Sequence, residues 1–324
     1  MNLSKQKSNA FYVARAFAIF SVICAHMSFG KEYVVPEIIR GCISEIGVCV
    51  FFLVSGFFYQ RKSGDTVDFW KKKFIGIIIP WFFISTLVFL VSAVLLHALD
   101  FTVFSFIKNF LGIGTHFWYM TVLIITFILF KFITKKWQYI TCMTISVISV
   151  YTSAIVLAVY SSRINQFLNV FNWIGFFALG IILRETDAIN TVLNLNKKIV
   201  LLFSSGLCMV VCICIQILTD IPTNSYISLT SLPFELSGIV FVLVLSDILC
   251  NNRVLADIGK KSFFIYLTHI QFVGFINTRL PYNTVFFILR PIISLIICYI
   301  LSVLFVKALK FLKLEKVSVL FGIK

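Results

Sequence analysis

Residues 10–29 read AFYVARAFAIFSVICAHMSF, a twenty-residue apolar run interrupted by one arginine, Arg15, and one histidine, His26. About twenty apolar residues are what an α-helix needs to cross a ~30 Å hydrocarbon core. His26 follows Arg15 by eleven positions. At ~100° per residue that is three turns plus about 20°, so the two side chains share one helix face. At ~1.5 Å per residue they lie about 16 Å apart along the axis. Ionisable groups at such depth are costly and face a protein interior or a watery cavity, which makes this pair the first candidate functional residues.

The rest of the chain has the same character. Of its 324 residues, 60% are hydrophobic and only 13% charged, against about 25% charged in a soluble domain. Nine more apolar windows follow, at 41–60, 74–96, 117–134, 139–160, 170–184, 199–218, 230–249, 262–277 and 285–306. They predict an all-α polytopic membrane bundle of about ten transmembrane helices, the sixth and ninth being short or polar. Residues 1–324 read as a single integral-membrane domain, without repeat or low-complexity tract. Lysines ahead of an apolar run resemble a signal peptide, but the length of the run, Arg15 within it and the later spans predict an uncleaved first helix.

A net charge of +15 invites a nucleic-acid partner, and its distribution argues against one. With the N-terminus inside, 21 of the 28 Lys and Arg residues fall on the inner side. The outer side receives six: Lys31, Arg40, Lys108, Arg163, Arg279 and Arg290. This positive-inside bias predicts an even number of spans, both termini cytoplasmic and anionic membrane lipid as the partner of the basic face. The densest cluster, RKSGDTVDFWKKK at 61–73, anchors to lipid or grips an anionic ligand arriving from the cytosol, with Lys72 and Lys73 as candidates. The nine cysteines lie mostly within spans and none joins histidines in a metal-ligand pattern, so neither a metal site nor a disulfide framework is expected. The segment FTVFSFIKNFLGIG at 101–114 alternates aromatic and polar residues, as a short interfacial helix does.

Predicted depth sorts the remaining polar groups. Span one runs outward and places His26 near the outer surface. Glu45, His116 and Glu235, each near the outer start of its span, come to a similar level, and His269 falls about 10 Å past the inner start of the ninth window. A histidine oriented by a carboxylate is a general base; His26 is the candidate, with Glu45 or Glu235 as its orienter. Ser55 and Gly56 are small residues in the bulky run FFLVSGFFYQRK, which permits close helix packing or room for a chain-like ligand.

Four segments spread over nearly the whole chain resemble acyltransferase family 3, membrane-embedded O-acyltransferases. They are ARAFAIFSVICAH at 14–26, GVCVFFLVSGFF at 47–58, HFWYM at 116–120 and SFFIYLTH at 262–269. The chain departs from the family where many members carry an arginine-rich run before a proline, reading KKKFIGIIIPW at 71–81, and where some members carry an aspartate it has Cys49. No esterase-like segment follows the last span, so a fused second catalytic domain is not expected. The resemblance implies transfer of an acyl group, most often acetyl, from cytosolic acyl-CoA to a hydroxyl of an extracytoplasmic or lipid-linked glycan at a bacterial cytoplasmic membrane. Acetyl-CoA is then a donor substrate and no cofactor is permanently bound. On that reading Arg15, Lys72, Lys73 and Ser55 receive the donor. His26, Glu45 and His116 serve the chemistry, with His116 as oxyanion donor or acceptor guide, and Trp118, Tyr119, Glu235 and His269 line the substrate side. A homo-oligomer is compatible with all of this. An exporter of lipid-linked or surface polysaccharide would also use many spans and buried charge. It calls for inverted repeats with matching broken spans, and no such pairing is visible. A non-catalytic scaffold would tolerate substitution of Arg15 and His26.

Overall fold

Alanines at 10, 14, 16 and 18 leave the first helix thin, and all four are buried. Small residues are what allow neighbouring helix backbones to approach closely in a membrane. A computed structural model describes residues 5–27, 34–59, 66–160, 166–187, 198–219, 228–279 and 284–322. These residues form twelve α-helices and no strand: α1 (Lys5–Ala25), α2 (Val34–Phe57), α3 (Thr66–Lys73), α4 (Ile79–Leu90), α5 (Val103–Phe110), α6 (Trp118–Phe130), α7 (Lys136–Tyr160), α8 (Ile174–Glu185), α9 (Lys198–Leu218), α10 (Ser231–Ile248), α11 (Arg253–Arg279) and α12 (Thr284–Phe311).

Helix α1 is the centre of the bundle. It packs chiefly on α2 and α11 and also touches α10 and α12, while α2 carries α8 on its far side. Two glycines set these spacings. A Cβ on Gly259 of α11 would sit 1.7 Å from the Tyr12 carbonyl oxygen of α1, and one on Gly56 of α2 would sit 2.0 Å from the Phe177 carbonyl oxygen of α8. Backbone cannot yield to a side chain there, so Gly259→Ala is expected to cost about 1–3 kcal/mol by overpacking. A fall in the thermal midpoint of the detergent-solubilised protein would register it, and an unchanged midpoint would show that α1 and α11 are free to separate.

Each of the ten apolar windows contains a helix. Seven stretches are long and apolar enough to cross a membrane: Lys7–Ala25, Arg40–Phe57, Val67–Leu95, Lys136–Val156, Lys198–Leu218, Ser231–Ile248 and Leu289–Phe311. The other three are special. With 13 and 12 residues, α6 and α8 reach only about 20 Å. Both bury aromatics inside the bundle, among them Phe127 and Phe130 on α6 and Phe176 and Phe177 on α8. α11 is 27 residues long but carries Lys260 and Lys261 in its first third.

The third span is one continuous helical rod with π turns in it. A five-residue π turn, Phe74–Ile78, joins α3 to α4, and Pro80 follows at once. Proline removes an i→i−4 bond, and π turns gather where that ladder is broken. The expected interfacial helix is α5, capped by the Thr102 side chain accepting from Ser105 N at 3.1 Å. It exposes Val103, Phe104 and Ile107, while its Asn109 side chain donates inward to Ser85 O at 3.0 Å. Near the C-terminus a 3-10 helix, Glu315–Phe321, sets Phe321 against Phe83, Phe264 and Phe305.

Candidate functional site

A cavity of about 710 Å³ opens among α1, α2, the α3–α4 junction, α6 and α11. Its wall includes Ser8, Lys72, Lys73, Lys260 and Gly322. Residues from near both ends of the chain thus border the same chamber as the lysines that the charge count assigns to the cytoplasmic face. Gly76 and Ile77 of the π turn line the chamber directly, as π distortions often do at functional sites.

The chamber is cationic and aromatic together. Lys73 Nζ lies 4.2 Å from the centre of the Phe127 ring and Lys260 Nζ lies 5.5 Å from that of Tyr12, distances at which ring faces attract cations. Asp68 is a carboxylate on the wall. Arg15 also faces the chamber, and its Nε is buried without a hydrogen-bond partner. No ion pair reaches it among the described residues. A buried cation left unpaired is costly, and a ligand that pairs with it relieves the cost. Arg15, Ser55, Lys72 and Lys73, all expected on the donor side, border this one space, with Tyr119. Ser55 faces the chamber while Gly56 admits α8, so the close packing foreseen for that small pair occurs at Gly56.

Tyr119 and Tyr266 border the chamber. Beyond Tyr266 stand three histidines. The His26 and His269 rings are 5.1 Å apart and those of His116 and His269 are 5.3 Å apart. The Tyr266 ring is 5.9 Å from His269 and 6.0 Å from His116, and its hydroxyl donates to the His116 carbonyl oxygen. His116 Nε2 lies 3.4 Å from Leu267 O, and His269 Nδ1 lies 2.7 Å from Tyr266 O. Burial, with His26 adding to it, pushes the His116 pKa down to about 3, so this imidazole is neutral at pH 7.

His26 itself stands one residue beyond the end of α1, its N–H bonded to Ile23 O at 3.1 Å. The straight-helix spacing from Arg15 therefore stops just short of it. The helix ends there because Arg40 takes its last carbonyls: Nη1 donates to Cys24 O at 3.2 Å and Ala25 O at 3.1 Å. A guanidinium at this position also suits the negative end of the helix dipole. From α11, Asn277 Nδ2 donates to His26 O at 3.1 Å, and the Oδ1 of the same amide is buried without a partner.

Other expected residues fall elsewhere. Neither Glu45 nor Glu235 is hydrogen-bonded to an imidazole among the described residues. They are 0% and 1% exposed and share a second polar cluster. Cys42, Glu45 and Cys49 recur at i, i+3 and i+7 along α2, which sets them on one helix face. On that face Cys42 Sγ donates to Gln216 Oε1 at 2.9 Å, and Gln216 Nε2 donates to Thr230 Oγ1 at 2.8 Å. Trp118 packs on Trp173 and Phe167, each with ring centres 5.2 Å away. His269 is not shallow: α11 begins at Arg253, nine residues before the apolar window, so His269 stands about 24 Å along its helix and level with His26. Its Nδ1 bonds within its own helix rather than between helices. Tyr266, Lys260, Arg40 and Asn277 escape the sequence reading. One signal was available, because residues 266, 269, 273 and 277 follow i, i+3, i+7, i+11 and mark one wall of α11.

The site is thus a basic chamber bordered by Tyr119 and Tyr266, with an imidazole cluster behind Tyr266. No curated protein and no solved structure matches the chain significantly. One family model does, that of the acyltransferase domain Acyl_transf_3, over residues 9–307. The chain therefore belongs to acyltransferase family 3 and is a multi-pass membrane acyltransferase.

Proposed function

We propose that the protein is an O-acyltransferase, with acetyl the expected group. It would act at a bacterial cytoplasmic membrane, moving the acyl group from cytosolic acyl-CoA to a hydroxyl of an extracytoplasmic or lipid-linked glycan. The observation that supports this most directly is the chamber shared by Arg15, Lys72, Lys73 and Lys260, whose border residue Tyr266 has its ring 5.9 Å from His269 and 6.0 Å from His116. Its volume of about 710 Å³ is within the usual range of small-molecule sites. Lysines at the mouth suit the phosphates of a nucleotide donor, and the aromatic walls suit a long thin arm.

His26 is the base in this reaction. It takes the proton of the acceptor hydroxyl as the oxygen attacks the thioester carbon, the C–S bond breaks, and the leaving thiolate receives the proton back from His26. Charge and atoms balance without another reactant. Arg15 binds an anionic or carbonyl part of the donor.

Mass spectrometry of surface glycans tests the reading. Cells carrying the wild-type protein should show acylated sugars that disappear both in cells without it and in cells carrying His26→Ala. Equal acylation in all three would dispose of it.

A further inference from the structure

The histidine cluster has a direction. A carbonyl only accepts, so the 2.7 Å contact of His269 Nδ1 with Tyr266 O puts the ring proton on Nδ1 and the lone pair of the neutral ring on Nε2. That Nε2 is buried with no partner among the described residues, in a side chain that is 0% exposed. Two rings stand close enough to supply it with a proton donor. His116 directs its Nε2 at Leu267 O, so its donor proton is engaged. His26 is the other, 5.1 Å away between ring centres. This spacing admits a direct N–H···N bond of about 2.9 Å once the two rings turn edge to edge. Meanwhile Arg40 caps the carbonyls just before His26, and Asn277 holds the carbonyl of His26 itself. With its backbone pinned, His26 keeps only ring rotation.

We infer that His269 is the positioning residue of His26: its Nε2 accepts the N–H of one His26 ring nitrogen and so leaves the opposite nitrogen as the proton acceptor. The Tyr266 carbonyl, His269 and His26 then form a relay in which an imidazole anchored on backbone does what a carboxylate does in a Ser–His–Asp triad. When His26 gains the acceptor's proton, its charge is held by the neutral lone pair of His269, and no proton leaves the pair. The catalytic side of this inference rests on the acyl-transfer reading above; the tautomer lock does not.

The test is ring-nitrogen NMR of the full chain labelled with [15N]histidine, with the four histidines assigned by single substitutions. In wild type, His26 should show one neutral tautomer, with one nitrogen protonated and the other not. In His269→Ala the two His26 nitrogens should move toward a common, averaged position. His269→Phe, which keeps a ring in the space and removes the acceptor, should do the same if alanine leaves the bundle loose. Identical His26 signals with and without the His269 acceptor would overturn the inference. In turnover, kcat should fall by ~10²–10⁴-fold in His269→Ala with donor KM unchanged, and His269→Gln, whose side-chain carbonyl can replace the lost acceptor, should recover part of it. Full kcat in His269→Ala alongside normal acylation sinks the relay and spares the acyltransferase reading. A locked tautomer in a protein that acylates nothing does the reverse.

Discussion

His26→Ala is expected to slow acyl transfer by ~10²–10⁴-fold, about 3–5 kcal/mol of barrier, while donor affinity stays as it was. The split follows from position. Arg15, Ser55, Lys72 and Lys73 line the chamber and His26 does not, so removing the imidazole takes away the proton acceptor without touching the donor's contacts. Purified protein in detergent, assayed with labelled acyl-CoA and a soluble acceptor, gives both numbers. Comparable losses of affinity and rate would instead mean that His26 supports the chamber. The same assay separates direct attack from a covalent acyl-histidine. Labelled protein that accumulates without acceptor and vanishes in His26→Ala would establish the two-step route.

Arg15→Gln is expected to weaken donor binding by ~10–100-fold, the worth of a hydrogen bond to a charged group in a buried setting. It should also raise the thermal midpoint of the donor-free protein. The two effects have one cause. Arg15 holds a buried nitrogen without a partner and no ion pair among the described residues, so the empty protein bears a desolvation cost that a neutral side chain removes. Stability given up at a binding site is common where function needs an unsatisfied group. Arg15→Lys should recover only part of the binding, because an ammonium lacks the planar fork of donors. Calorimetric titration with acyl-CoA and a thermal melt decide the matter. A lower midpoint with unchanged affinity would make Arg15 a structural residue.

The legible part of this molecule was what hydropathy and depth can report. Ten apolar windows each hold a helix, and His26 and His116, expected at one level, both set their rings against His269. What stayed hidden depends on helix rotation and on where helices truly start. The first third of α11, ending in GKK, has the composition of a loop, so His269 was placed near the wrong surface. Glu45 shares a level with His26, but the face of α2 that carries it turns to α9 and α10, and level alone does not report rotation. Arg40 counted as one of six outer charges, although it is 8% exposed and caps α1. Tyr266 and Asn277 are ordinary residues until the i, i+7 and i+11 positions around His269 are read as one wall.

The tyrosine border carries a consequence for the cell. A protein that takes its donor from one compartment and its acceptor from the other is, if open at both ends, a pore. Tyr119 and Tyr266 border the basic chamber, and none of the three histidines lines it. Across a charged membrane each leaked elementary charge dissipates about 2.3 kcal/mol per 100 mV. In the proposed reaction these two rings stand where a seal between the donor side and the histidines has to be, so that an acyl group is handed over while the electrochemical gradient stays intact.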